Sequence, residues 1–215
     1  MLVSAKSHGD GQQAQTREYY ERNAESYFKA TRDADLSALY ERFTRRLPEG
    51  ARILDAGSGS GRDTLAFLRR GYAVSAFDSS PALCELSTRL TSVRTRVLRF
   101  QELEDEEEYD GIWACASLLH VPEAELPDAI ARLVRALKPG GVLYMSFKHG
   151  TGERVTEDGR FFTDMTDSRL RRVLNALLEA KPEELWITTG EGQFQGQDEW
   201  LNALVSRQKR GEAHG

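Results

Sequence analysis

Apolar residues along the chain follow two periods, and the change from one to the other divides it. From Gln15 to Leu47 they recur at helical spacing. Tyr20, Ala24, Tyr27 and Phe28 form one run, and Leu36, Leu39, Tyr40 and Phe43 a second. Pro48-Glu49-Gly50 ends this stretch. Short apolar runs then alternate with helical patterns. Strands are expected over Arg52–Ala56, Tyr72–Phe77, Arg94–Phe100, Tyr109–Ala116 and Val142–Phe147. Helices are expected over Gly61–Arg70, Pro81–Leu90 and Glu123–Leu137, and Pro139-Gly140-Gly141 reads as a turn. Pro81 suits a first helical turn, where its missing N–H has no partner to lose. Such alternation predicts a mainly parallel sheet covered by helices on both faces.

The remaining segments have different patterns. Lys148 to Thr163 shows no period and reads as a long loop at a strand's carboxyl end, a common place for a substrate lid. A helix is expected over Asp167–Leu178. Strands over Glu184–Thr189 and Glu199–Ser206, with a short link, predict an antiparallel hairpin at the sheet edge. Residues 1–14 are polar and rich in Gly, Gln and Ser, and 207–215 look similar, so both read as disordered tails. That leaves a single domain over 15–206.

Composition narrows the classes. At 215 residues the chain can bury a core without staples. Its formal net charge of −5 supplies no global field for nucleic acid. Cys84 and Cys115 are too few and too far apart for a disulfide framework or a zinc cage, so they read as buried free thiols suited to a reducing cytoplasm. No apolar stretch reaches the roughly 20 residues of a membrane span. Glu102 to Glu108 holds six carboxylates in seven residues and reads as a solvated loop. No metal pattern is present.

The chemistry concentrates in Ile53-Leu54-Asp55-Ala56-Gly57-Ser58-Gly59-Ser60-Gly61-Arg62, which runs from a strand through glycines into a helix. Glycines let a backbone approach a ligand at the carboxyl end of a strand. A dinucleotide fingerprint spaces its glycines G-x-G-x-x-G, and here its last position is Arg62. A P-loop would need Gly-Lys-Ser/Thr, which is absent. Asp78 ends the next strand, where an acid can accept bonds from both ribose hydroxyls.

The D-x-G-x-G-x-G segment resembles the first motif of class I S-adenosylmethionine-dependent methyltransferases. Tyr109 to Pro122 is similar to that family's fourth strand and following loop, and Leu137-Lys138-Pro139-Gly140-Gly141-Val142-Leu143 to the turn before its fifth. Tyr19 to Tyr27 and Gly61-Arg62-Asp63 look like the lid helix and first helix of its tellurite-resistance-type and small-molecule branch. The resemblance implies an α/β three-layer sandwich with a Rossmann-like, seven-stranded, mostly parallel sheet and an antiparallel edge hairpin. Residues 15–47 would supply lid helices. It implies S-adenosyl-L-methionine as cofactor, with Asp55, Gly57, Ser58, Gly59 and Arg62 around the glycine loop. Asp78 and Ser79 would follow the second strand, Phe100 and Gln101 the third, and Ala116 and His120 the fourth. Tyr19, Tyr20 or Tyr27 would reach the cofactor from the lid. Relatives often carry Cys where Ser58 stands, and an acid in the region of Leu98 to Glu102.

Methyl transfer from a sulfonium is an in-line displacement from a good leaving group, so positioning supplies most of the catalysis. A hydroxyl or amine acceptor would need a base, for which His120 and His149 are the candidates. Lys148, Arg154 and Arg160 would suit an anionic substrate. No Asn-Pro-Pro-Tyr follows the fourth strand, which argues against amide or base-amine methylation. The expectation is a small-molecule methyltransferase. An RNA (tRNA) methyltransferase and a non-catalytic cofactor-binding regulator are the alternatives. Oligomeric state is not legible in the sequence.

Overall fold

The computed structural model describes residues 4–189 and 198–209. Three helices come first: α1 (Ser4–Arg22), α2 (Ala24–Thr31) and α3 (Ser37–Thr44). The central alternation follows as β1 (Arg52–Ala56), α4 (Arg62–Arg69), β2 (Ala73–Asp78), α5 (Pro81–Thr91), β3 (Thr95–Val97), β4 (Tyr109–Ala114), α6 (Leu126–Ala136) and β5 (Leu137–Lys148). The last part holds β6 (Gly152–Val155), β7 (Phe161–Asp164), α7 (Asp167–Asn175), β8 (Ala180–Thr189) and β9 (Glu199–Arg207).

Seven strands form one sheet in the order β3-β2-β1-β4-β5-β9-β8. The first five are parallel, and β9 runs antiparallel between β5 and β8. The expected seven-stranded sheet with its antiparallel hairpin is therefore present. Chain order reverses direction at β1 and β4, so the carboxyl ends of these two strands flank the usual ligand crevice of an open α/β sheet.

Alternating side chains feed two cores, one on each face. Leu54, Phe77, Ile112, Leu143 and Met145 pack under α6 and α7. In α6, Leu126, Ala129, Ile130, Leu133 and Val134 form the buried stripe, which is the i, i+3, i+4 spacing of a helix lying on a sheet. On the other face Ile53, Trp113 and Tyr144 meet Phe43 from α3 and Phe67 from α4. The Trp113 and Tyr144 rings stack with centroids 3.9 Å apart.

Several expectations change. Residues 1–14 were expected to be loose, yet α1 begins at Ser4. Its anchor is tertiary: Thr16 is buried, and its hydroxyl accepts the Phe161 N–H at 2.9 Å. Residues 207–209, expected in a loose tail, are among the described residues. Arg207 is buried as the last residue of β9, and donates to the carbonyls of Arg135 and Leu137. The tail residues 1–3 and 210–215, and the link 190–197 between the late strands, lie outside the described residues.

The loop expected over 148–163 is in part a β6–β7 ribbon. Its first strand is exposed after a half-buried Gly152, while Phe161, Phe162 and Thr163 of the second are buried, so the sequence shows no alternation. β8 starts four residues early, at Ala180, and keeps Pro182 because it is the sheet edge. β3 is shorter than expected because the chain turns into a 3₁₀ turn at Phe100–Glu102. The Pro139-Gly140-Gly141 turn is absorbed into β5 as an irregularity in its pairing with β4.

Five of the six carboxylates in the acidic run are bound to arginines. Glu102 pairs with Arg99, Asp105 with Arg96, Glu106 with Arg135, Glu107 with Arg207 and Glu108 with Arg52. The run is solvated on one side and fastens β1, β3, α6 and β9 on the other. Among the described residues no helix is long and apolar enough to cross a membrane.

Candidate active site

The glycine loop leaves β1 and folds back on the end of β2. The N–H groups of Gly57 and Ser58 both donate to Phe77 O at 2.9 Å, and Gly59 N–H donates to Asp78 Oδ2 at 2.9 Å. The other Asp78 oxygen accepts Ser80 N–H at 2.9 Å. Burial raises the Asp78 carboxyl pKa, opposed by these backbone donors.

The glycines are required by what surrounds them. Gly57 has φ of +78°, and a Cβ there would lie 2.4 Å from Ser117 Cβ. Gly61 has φ of +79° at the start of α4, and a Cβ would lie 2.6 Å from Ser87 Oγ. Ser58 Oγ is buried with no hydrogen-bond partner among the described residues. Buried hydroxyls are nearly always paired, so this one is an exception within the glycine loop.

Behind the loop lies a buried charge network. Asp63 accepts Arg62 Nε at 2.6 Å, Arg62 Nη2 at 2.9 Å and Trp113 Nε1 at 2.9 Å, together with the Tyr40 hydroxyl. Burial alone would raise its pKa, but Arg62 and these donors hold the carboxyl below the usual range. Asp55 accepts from Thr64 Oγ1 at 2.6 Å, and burial together with the Asp63 charge raises its pKa.

A cavity of about 340 Å³ opens over the carboxyl ends of β1, β2, β3 and β4. Its floor is Gly57 to Ser60. Asp78 and Ser79 lie beside Leu98, Phe100 and Gln101 on the β3 side. Tyr27, Thr31, Arg62, Asp63 and Cys115 close the opposite end. Burial raises the Cys115 thiol pKa to about 12, so it is a neutral wall residue. The roof is α1, which contributes Gln13, Thr16, Arg17 and Tyr20 and reaches His120 beyond β4.

Of the residues expected at the cofactor, Tyr27, Gly57, Ser58, Gly59, Arg62, Asp78, Ser79, Phe100, Gln101, Ala116 and His120 line this cavity. Tyr19 and Asp55 do not. The Tyr19 ring lies under the Arg160 guanidinium, 4.7 Å from its centroid, and Asp55 sits beneath the loop against Thr64. The expected substrate residues are also elsewhere. Lys148 pairs with Asp198 at 2.5 Å, Arg154 with Asp164 at 2.6 Å and Arg160 with Asp158 at 2.7 Å. All three pack around the Phe162 ring. His149 Nδ1 contacts Glu199 Oε2 at 2.8 Å, away from the crevice. Lys148, Arg154 and His149 face the ribbon and β9, whereas Arg160 reaches α1 at Tyr19 and Tyr20, beside the cavity without lining it.

Gln13 was missed because the composition of 1–14 suggested disorder, and Thr16 and Arg17, in the expected lid helices, because the α1 face has no strong apolar stripe to mark its inner side. Thr31, Ser60 and Ser117 were missed for another reason. Ser60 and Ser117 reach the cavity through loop geometry that has no periodic signal, and Thr31 from the last turn of α2.

Residues 53–141 match the model of a methyltransferase domain. Over that stretch the chain is similar to a methyltransferase domain. A ubiquinone biosynthesis O-methyltransferase from Xylella fastidiosa is 37% identical over 113 residues, which cover 48% of this chain and 44% of that one. The chain thus spans less than half the length of the curated relatives it matches. Among solved structures, the 1,6-didemethyltoxoflavin-N1-methyltransferase of Burkholderia thailandensis, with 1,6-didemethyltoxoflavin and S-adenosylhomocysteine bound, superposes with a TM-score of 0.75. That match has 21% identity and covers 97% of this chain and 92% of the other. A TehB-like methyltransferase from Corynebacterium glutamicum gives 0.66 at 20% identity, covering 89% and 98%. At these identities both likenesses are of fold.

Proposed function

We propose that this chain methylates a small-molecule acceptor, using S-adenosylmethionine bound across the crevice from Arg62 to Gln101. The observation that carries the proposal is the joint placement of the unpaired Ser58 hydroxyl, the glycine floor and the Asp78 carboxylate in one cavity. A ligand with a carboxylate at one end, a ribose in the middle and a base at the other fits that order. Arg62 and Tyr27 would hold the amino-acid end, Asp78 the ribose hydroxyls, and Phe100 and Gln101 the base. When bound, the cofactor supplies an electrophilic methyl group with a neutral thioether as leaving group.

The chain's part is positioning and exclusion of water. α1 is tied across the mouth at Gln13, Thr16, Tyr20 and Glu21, so an acceptor is enclosed beside His120. Such enclosure supplies the alignment an in-line displacement needs. Tyr20 donates its hydroxyl proton to His120 and its oxygen also faces the Arg160 guanidinium, so the hydroxyl is held from both sides at the edge of the cavity. His120 acts in this scheme by holding Tyr20, since both of its ring nitrogens are engaged.

A macromolecular acceptor would have to displace α1, and the net charge of −5 would oppose a polyanion. The test is transfer of a labelled methyl group from S-adenosylmethionine to a panel of small phenols, acids, thiols and amines, with total RNA as a parallel arm. Label in the small-molecule arm is expected. Label in RNA alone, or cofactor binding with no transfer in either arm, contradicts the proposal.

A further inference from the structure

Three segments meet at the β3 side of the cavity through one closed set of hydrogen bonds. Gln101, in the 3₁₀ turn after β3, donates from Nε2 to Glu125 Oε2 at 2.8 Å and to Gln13 Oε1 at 3.2 Å. Gln13, on α1, donates from its own Nε2 to the same Glu125 oxygen at 2.9 Å. Glu125 lies just before α6 and stands behind the two glutamines, which line the cavity while it does not.

The chemistry of these groups fixes an orientation. A carboxylate only accepts hydrogen bonds, so the amide nitrogen of Gln101 must turn towards Glu125. An amide nitrogen has two hydrogens, and both are used. The Gln101 side chain therefore has no donor left for a ligand. Its oxygen has no hydrogen-bond partner among the described residues. Rotating the amide by half a turn would set that oxygen against the Glu125 carboxylate and leave Gln13 Oε1 without its donor. Acceptor would face acceptor, and two half-buried groups would lose their bonds.

We infer that Glu125, together with Gln13, locks the Gln101 amide with its oxygen alone towards the crevice, and so makes this end of the site select a 6-amino purine over a 6-oxo purine. The inference rests on the adenosyl reading of the crevice given above. Adenine presents an exocyclic N–H that a lone amide oxygen can accept. Hypoxanthine presents a carbonyl at the same place, which would face that oxygen with no hydrogen between them. Phe100, edge-on to Phe77 at 5.3 Å, provides an apolar surface that is indifferent to the two bases, so the choice falls to Gln101. Glu125 is then a positioning residue for cofactor selection, acting through Gln101. It takes the place of an acid reaching the base directly.

The experiment compares S-adenosylhomocysteine with S-inosylhomocysteine, its 6-oxo analogue, by calorimetry on the full chain. The wild-type protein should prefer the adenosyl form by about tenfold or more, the size of one hydrogen bond gained against one group left unpaired. Glu125→Gln offers an amide that can face Gln101 with either end, and the preference should fall to about threefold or less. The double variant Gln101→Glu with Glu125→Gln puts the carboxylate at the crevice and the donor behind it. It should restore the preference, which a merely structural role for Glu125 would not produce. Equal affinity for the two ligands in the wild type overturns the inference and leaves the adenosyl reading standing. So does an undiminished preference in Glu125→Gln. Failure of the wild type to bind either ligand removes the adenosyl reading and this inference with it.

Discussion

The Tyr20 hydroxyl and His120 Nε2 lie 2.9 Å apart, joining the α1 roof to the end of β4. The other ring nitrogen, Nδ1, is 2.7 Å from Phe161 O. A carbonyl can only accept, so Nδ1 carries the proton and Nε2 receives the tyrosine's. Burial lowers the His120 pKa to about 4. The unfolded chain takes up a proton here below about pH 6.5, whereas the folded chain resists until about pH 4. The stability tied to the neutral ring is thus complete above pH 6.5 and is lost as pH falls towards 4, by up to about 3 kcal/mol. Urea unfolding at pH 7.5 and pH 5 should show wild type losing more stability than His120→Gln. Identical pH dependence in the two would place the titrating group elsewhere.

Asp78 holds the glycine loop through Gly59 N–H and lines the cavity where the ribose is proposed to sit. Asp78→Ala removes a charged acceptor, for which about 1.5–3 kcal/mol per bond is usual. S-adenosylhomocysteine affinity should fall by about tenfold to a hundredfold. An unchanged affinity would take Asp78 out of the site.

Gly57 is confined twice, by its φ of +78° and by Ser117 Cβ, which stands 2.4 Å from where a side-chain methyl would be. Gly57→Ala should destabilise by about 2–4 kcal/mol and abolish cofactor binding. Adding Ser117→Gly removes the clash and leaves the backbone strain, so part of the stability returns. Strictly additive effects in chemical denaturation would show that the two positions do not touch.

The Arg62–Asp63 pair is nearly enclosed, with side chains 11% and 7% exposed. Asp63→Asn leaves Arg62 charged and half-paired, and should cost about 3–5 kcal/mol. The exposed Arg171–Asp167 pair is a control, where Asp167→Asn should cost less than about 1 kcal/mol. Equal, small losses in thermal unfolding would contradict the buried network.

What the sequence makes legible is the part governed by local pattern. Gly57, Gly59 and Asp78 are read from spacing, and the β1-to-β5 alternation from period, because parallel strands buried on both faces are continuous apolar runs. Gln13 and Glu125 are not legible, since their meaning comes from a contact 112 residues apart. Lys148, Arg154 and Arg160 look like free cations in the sequence. β9 brings Asp198 to Lys148 and the ribbon brings Asp164 to Arg154, while Arg160 is paired locally with Asp158, two residues earlier. His149 fails for the same reason, being drawn to Glu199.

The most direct measurement is a calorimetric titration of the full chain with S-adenosylhomocysteine, repeated with NAD. The account predicts saturable binding of S-adenosylhomocysteine at one site per chain and no displacement by NAD. Tighter binding of NAD, or no heat with the adenosyl ligand, would contradict it.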